Sequence, residues 1–103
     1  MQEKPGRRHT RKGPARVDVH VAMRVRERRI ELGLTQPEVA AELGITFQHL
    51  YKFEKAKSRI SASRLYDLSK ALGVPITFFF EGLAEADAKA QKPKRPRQVE
   101  FTA

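Results

Sequence analysis

The sequence predicts an all-helical protein, one compact domain of five helices flanked by disordered basic tails. Three observations predict it. Apolar residues recur three and four apart, as in Val21 and Val25, Val39 and Leu43, or Leu65, Leu68 and Leu72, which is the period of helices buried along one face. Helix-starting residues precede these runs, and Gly33, Gly44 and Gly73 follow them, where a left-handed backbone ends a helix. Both ends of the chain, by contrast, mix Pro with charged residues and lack the apolar surface to offset the entropy of ordering.

The boundaries drawn from this are a basic N-terminal arm over residues 1–16, a folded domain over 17–83 and a charged C-terminal tail over 84–103. The arm, MQEKPGRRHTRKGPAR, has two readings: a strand of cations that reaches DNA, or a solubilising leader. Helix one is expected from Asp18 as N-cap to Leu32, with Val21, Val25 and Leu32 inward and Arg24, Arg26 and Arg28 on a solvated face. Thr35 and Glu38 form a capping box, with Pro37 in the first turn, so helix two starts at Gln36 and buries Val39, Ala40 and Leu43. Gly44 ends it, Thr46 caps a third helix, and Phe47 to Glu54 carries Leu50 and Phe53 on one face. Ala40 suits two helices that cross closely beside a three-residue turn.

A basic loop follows, Lys55 to Arg59, with no acid between its charges. Ser61 caps helix four, which turns Leu65, Leu68 and Leu72 inward and stops at Gly73. Helix five opens near Pro75 and holds Phe78, Phe79 and Phe80. Neighbours on a helix diverge by about 100°, so one of these rings must face outward. In the tail, Val99 and Phe101 alternate with polar residues and are a candidate short strand.

The set Leu34-Thr35-Gln36, Ala40, Gly44, Leu50, Glu54 and Ala71-Leu72-Gly73-Val74 resembles the Cro/repressor-type helix-turn-helix family, also called the XRE or lambda-repressor-like family, nearly end to end between Val21 and Gly82. The resemblance implies a five-helix DNA-binding domain that regulates transcription as a homodimer. It also implies a structural ion pair between Arg29 and Glu54, a phosphate contact from Gln36, and dimer contacts from the fifth helix, here Phe80 and Leu83. The family has glycine where this chain has Ala56, a departure that leaves the local turn open.

With Leu50 at the centre of the inward face of helix three, Gln48 and Lys52 point outward together. A glutamine offers a donor and an acceptor to adenine, and a lysine donates to guanine or phosphate, so these two are the expected base readers. Phe47 falls between the inward and outward directions; it either lies against a thymine methyl or packs under helix two. His49, Tyr51, Lys57 and Arg59 are candidate phosphate contacts.

The net charge of +9 suits a polyanionic partner, yet residues 17–82 carry ten basic against eight acidic side chains, and most of the excess lies outside them. Spacing therefore carries the functional reading. Neither an apolar run of about 20 residues for a membrane helix nor a signal-peptide core is present, and cysteine is absent, which together place the chain in the cytoplasm by expectation. None of His9, His20 and His49 has metal-ligand spacing, no phosphate loop or nucleophile-base arrangement is legible, and no cofactor or enzymatic activity is expected. The expectation is a repressor that binds double-stranded DNA as a homodimer. The alternatives are an antitoxin or anti-activator acting on a protein partner through helix five or the tail, and a sequence-independent coat on nucleic acid.

Overall fold

Four α-helices and one 3-10 helix follow one another in the computed structural model, which describes residues 15–85: α1 Arg16–Glu31, α2 Gln36–Leu43, α3 Phe47–Glu54, α4 Ala62–Leu72 and the 3-10 helix Ile76–Phe80. Most of the basic arm, most of the charged tail and the strand expected at Val99 and Phe101 lie outside the described residues.

Helix α1 begins earlier than its sequence suggests. Ala15 is the N-cap, and Asp18 sits inside the first turn, where its carboxylate accepts from the Ala15 N–H at 3.3 Å. A carboxylate at this depth serves the free amides and the positive end of the helix from within, so no cap side chain is needed. At the other end Leu32, expected inward, is instead the C-cap and 41% exposed, and Leu34 after the turn packs on the core in its place.

The helix-turn-helix forms as its caps dictate. Thr35 accepts from the Glu38 N–H while the Glu38 carboxylate accepts from the Thr35 N–H at 2.7 Å. Thr46 accepts from the His49 N–H at 3.1 Å. Between α2 and α3, Gly44 adopts φ 71°, and the Ile45 N–H returns to the Ala40 carbonyl at 3.0 Å. Ala40 is buried at this crossing, with Val39, Leu43, Leu50 and Phe53 around it. Helix α4 adds Leu65, Leu68 and Leu72, and the 3-10 helix adds Phe79, which is fully buried.

The fifth element is thus a 3-10 helix of 5 residues rather than an α-helix. Its three consecutive rings separate: Phe79 inserts, Phe78 half-buries against the core, and Phe80 is exposed. Arg24 and Arg28, expected on a solvated face, instead fasten this end of the chain. Arg24 Nε donates to the Phe78 carbonyl at 3.1 Å, its guanidinium lies 3.9 Å from the Phe78 ring centroid, and it pairs with Glu81 at 3.0 Å. Arg28 Nε donates to the Leu72 carbonyl at 3.0 Å, at the negative end of α4. The last carbonyls of a helix lack intrahelical donors, and long side chains from α1 reach them while burying their stems.

Candidate nucleic-acid interface

Helix α3 is held by a buried charge network. Glu54, its last residue, has a side chain only 1% exposed. Its two oxygens accept from Arg29 Nε at 2.7 Å and Arg29 Nη2 at 3.0 Å, and from Gln36 Nε2 at 3.0 Å. Arg29 also donates to the Leu34 carbonyl at 2.9 Å. One carboxylate thereby joins α1, the start of α2 and the end of α3. A bidentate guanidinium fixes angle as well as distance, so the network sets how α3 is presented.

The same network decides the sign of the surface. Glu54 is the only carboxylate between Phe47 and Arg59, and it faces the interior. What α3 and the following loop show to solvent is Phe47, Gln48, His49, Tyr51 and Lys52, then Lys55, Lys57 and Arg59. Among the described residues the side chains of Gln48, Lys52 and Lys57 bond to no other group, and Phe47 has no ring or cation partner. His49 rests on Phe53 with ring centroids 4.5 Å apart, and the Tyr51 ring lies 5.7 Å from Lys55 Nζ. Arg59 reaches Asp18 at 3.4 Å, with its own side chain 75% exposed. Gln36 is half-buried, and its amide is already engaged by Glu54.

The loop after α3 turns on Ala56, at φ 58°. The Lys57 N–H bonds to the Lys52 carbonyl at 2.8 Å and the Ala56 N–H to the Phe53 carbonyl at 3.1 Å, the paired bonds of a left-handed helix end. Helices α1, α2 and α4 close the same way on Gly33, Gly44 and Gly73. Alanine thus adopts the glycine conformation here and carries the strain of it.

Two features of this surface escape the sequence. Arg26 and Lys55 border, with Tyr51, a cleft over Thr35 and Gln36 at the start of α2. Arg26 looked like any other cation of α1, and only the crossing of α1 over α2 and α3 gives it a neighbourhood. The Asp18–Arg59 pair, 41 positions apart, left no local signal either. Phe80 and Leu83, at and just beyond the end of the 3-10 helix, are exposed and half-buried respectively. No three potential metal-ligating side chains converge among the described residues, and none of their helices is long and apolar enough to cross a membrane.

The sequence profile of the helix-turn-helix family matches residues 25–79. The chain belongs to that family. Among its helix-turn-helix relatives, a Rhodospirillum rubrum protein named as an uncharacterized transcriptional regulator in the ATPase CF(0) region is 51% identical over 73 residues, covering 71% of this chain and 68% of the relative. An uncharacterized HTH-type transcriptional regulator of Sinorhizobium medicae is 48% identical over 71 residues, covering 69% of this chain and 51% of that one. The chain therefore spans about two thirds of the first relative and half of the second. The solved restriction-modification controller protein C.AhdI from Aeromonas hydrophila superposes with a TM-score of 0.58 at 26% identity, over 60% of this chain and 94% of its own. The described fold is thus a helix-turn-helix domain of the kind carried by proteins named as transcriptional regulators.

Proposed function

We propose that the domain over residues 17–83 binds double-stranded DNA as a homodimer, sequence-specifically, and represses transcription in the cytoplasm by occupying promoter DNA. The observation that carries this is the outward face of α3: Gln48 and Lys52 stand exposed and unbonded on a helix whose one carboxylate is buried against Arg29. Unbonded polar side chains on a rigid helix are what base edges require, and a face without exposed carboxylate does not repel phosphate.

In this reading Phe47, Gln48 and Lys52 contact bases, while Gln36, His49, Tyr51, Lys57 and Arg59 contact phosphates and set the register. Gln36 keeps one amide hydrogen and its carbonyl beyond the bond to Glu54, and Arg59 exchanges an exposed carboxylate for a phosphate. Phe80 and Leu83 meet their counterparts across a two-fold axis, which places the two copies of α3 in major grooves about one helical turn, roughly 10 base pairs, apart. Selection of bound duplexes from a random pool by the full chain tests the whole reading. An inverted repeat with that spacing is expected; selection of no motif, or of a single isolated half-site by a monomer, would overturn it.

A further inference from the structure

The first residue of α3 is a large apolar ring that stands outside the core. Phe47 is 47% exposed and is not among the side chains packed against the core. The other aromatic side chains of α3 are all engaged, His49 with Phe53 and Tyr51 with Lys55, and Phe53 is buried. Thr46, bonded to the His49 N–H, fixes the backbone from which Phe47 projects beside Gln48. The exposed part of the ring forgoes the free energy of burial, and the ring can neither donate nor accept a conventional hydrogen bond to a base or a phosphate. Of everything the major groove displays, one feature is apolar: the methyl group on C5 of thymine. A cytosine methylated at C5 carries the same group at the same place.

We infer that Phe47 recognises the 5-methyl group of a pyrimidine, so that this regulator reads thymine at one position of each half-site and responds to C5 methylation when cytosine stands there. The inference rests on α3 being the base-reading helix and adds to it a sensitivity to the modification state of the DNA. Gln48 and Lys52 read hydrogen-bonding edges, which methylation at C5 leaves unchanged; Phe47 reads the methyl itself. Burying one methyl group corresponds to about a fourfold change in affinity per half-site, and so to about fifteenfold for a symmetric operator.

The experiment uses the full chain and the duplex obtained by selection, with each thymine replaced in turn by deoxyuridine, which removes the methyl and keeps the pairing edge. One position per half-site should bind about fourfold more weakly, and Phe47→Ala should abolish the difference while Phe47→Leu retains part of it. With cytosine placed at that position, C5 methylation should tighten binding by a similar factor in the parent protein and not in Phe47→Ala. Deoxyuridine tolerated at every position, or a loss equally large in Phe47→Ala, would overturn the inference; if Gln48→Ala still relaxed base preference, the reading of α3 would stand. A chain that selects no sequence at all would remove both.

Discussion

Replacing Glu54 with glutamine should destabilise the domain more than neutralising any of its exposed charges. The carboxylate is 1% exposed and accepts three hydrogen bonds, two from Arg29 and one from Gln36. Glutamine fits the same space but removes the charge and turns an amide toward the guanidinium. Arg29, 12% exposed, then stays in the interior without a counter-charge. Breaking one side of a buried pair costs about 3–5 kcal/mol. Arg29 keeps its bond to the Leu34 carbonyl and some contact with water, which puts the expected loss near the lower end, about 3 kcal/mol. At about 4–8 °C per kcal/mol for a domain of this size, the midpoint should fall by about 12–24 °C. The double variant Arg29→Met with Glu54→Leu removes both charges and should be more stable than Glu54→Gln alone, because neither ion remains unpaired in the interior. Urea unfolding for the free energies and thermal unfolding for the midpoints, both followed by far-UV circular dichroism at one fixed protein concentration for all variants, measure this. A Glu54→Gln protein within about 1 kcal/mol of the parent, the worth of a surface pair, would show that the network does not hold α3 in place.

Four further outcomes are expected. Ala56→Gly should stabilise the fold by about 1 kcal/mol, since Ala56 sits at φ 58° where the other helix ends use glycine; a lower thermal midpoint would contradict it. Arg24→Met keeps the apolar stem but loses the bonds to the Phe78 carbonyl and Glu81, and should cost about 1.5–3 kcal/mol in urea melts. Lys57→Ala and Arg59→Ala should each lower the slope of log K against log salt by about 0.9 without altering the preferred sequence, and an unchanged slope would remove that residue from the phosphate contacts. Phe80→Glu should shift the protein toward monomer in sedimentation velocity and weaken binding to a two-half-site duplex far more than to a single half-site.

The helix-turn-helix was legible because its determinants are local. The Thr35 and Thr46 caps and the Gly44 turn act within a few residues, and the three- and four-residue spacing of Val39, Leu43, Leu50 and Phe53 reports burial directly. The start of α1 was misplaced because an aspartate suits an N-cap and a first turn equally well, and local sequence does not separate the two. Arg24, Arg28 and Arg59 were harder still. Their partners, the Phe78 and Leu72 carbonyls and the Asp18 carboxylate, are 54, 44 and 41 positions away, so only the packed fold brings them together. The fifth helix carried helix-like signals but is too short for α-helical bonding and closes as a 3-10 turn that seats Phe79. For the site itself, the outward placement of Gln48 and Lys52 followed from periodicity, whereas the freedom of the Phe47 ring depended on what its neighbours do not offer.

Whether α3 reads base edges is tested by the affinity for an operator panel in which every base pair is changed singly, measured with the parent chain and with Gln48→Ala. The parent should discriminate at the contacted position by about 1–3 kcal/mol, and Gln48→Ala should lose that discrimination there alone while keeping its preferences elsewhere. Identical profiles for the two proteins would contradict base reading by α3.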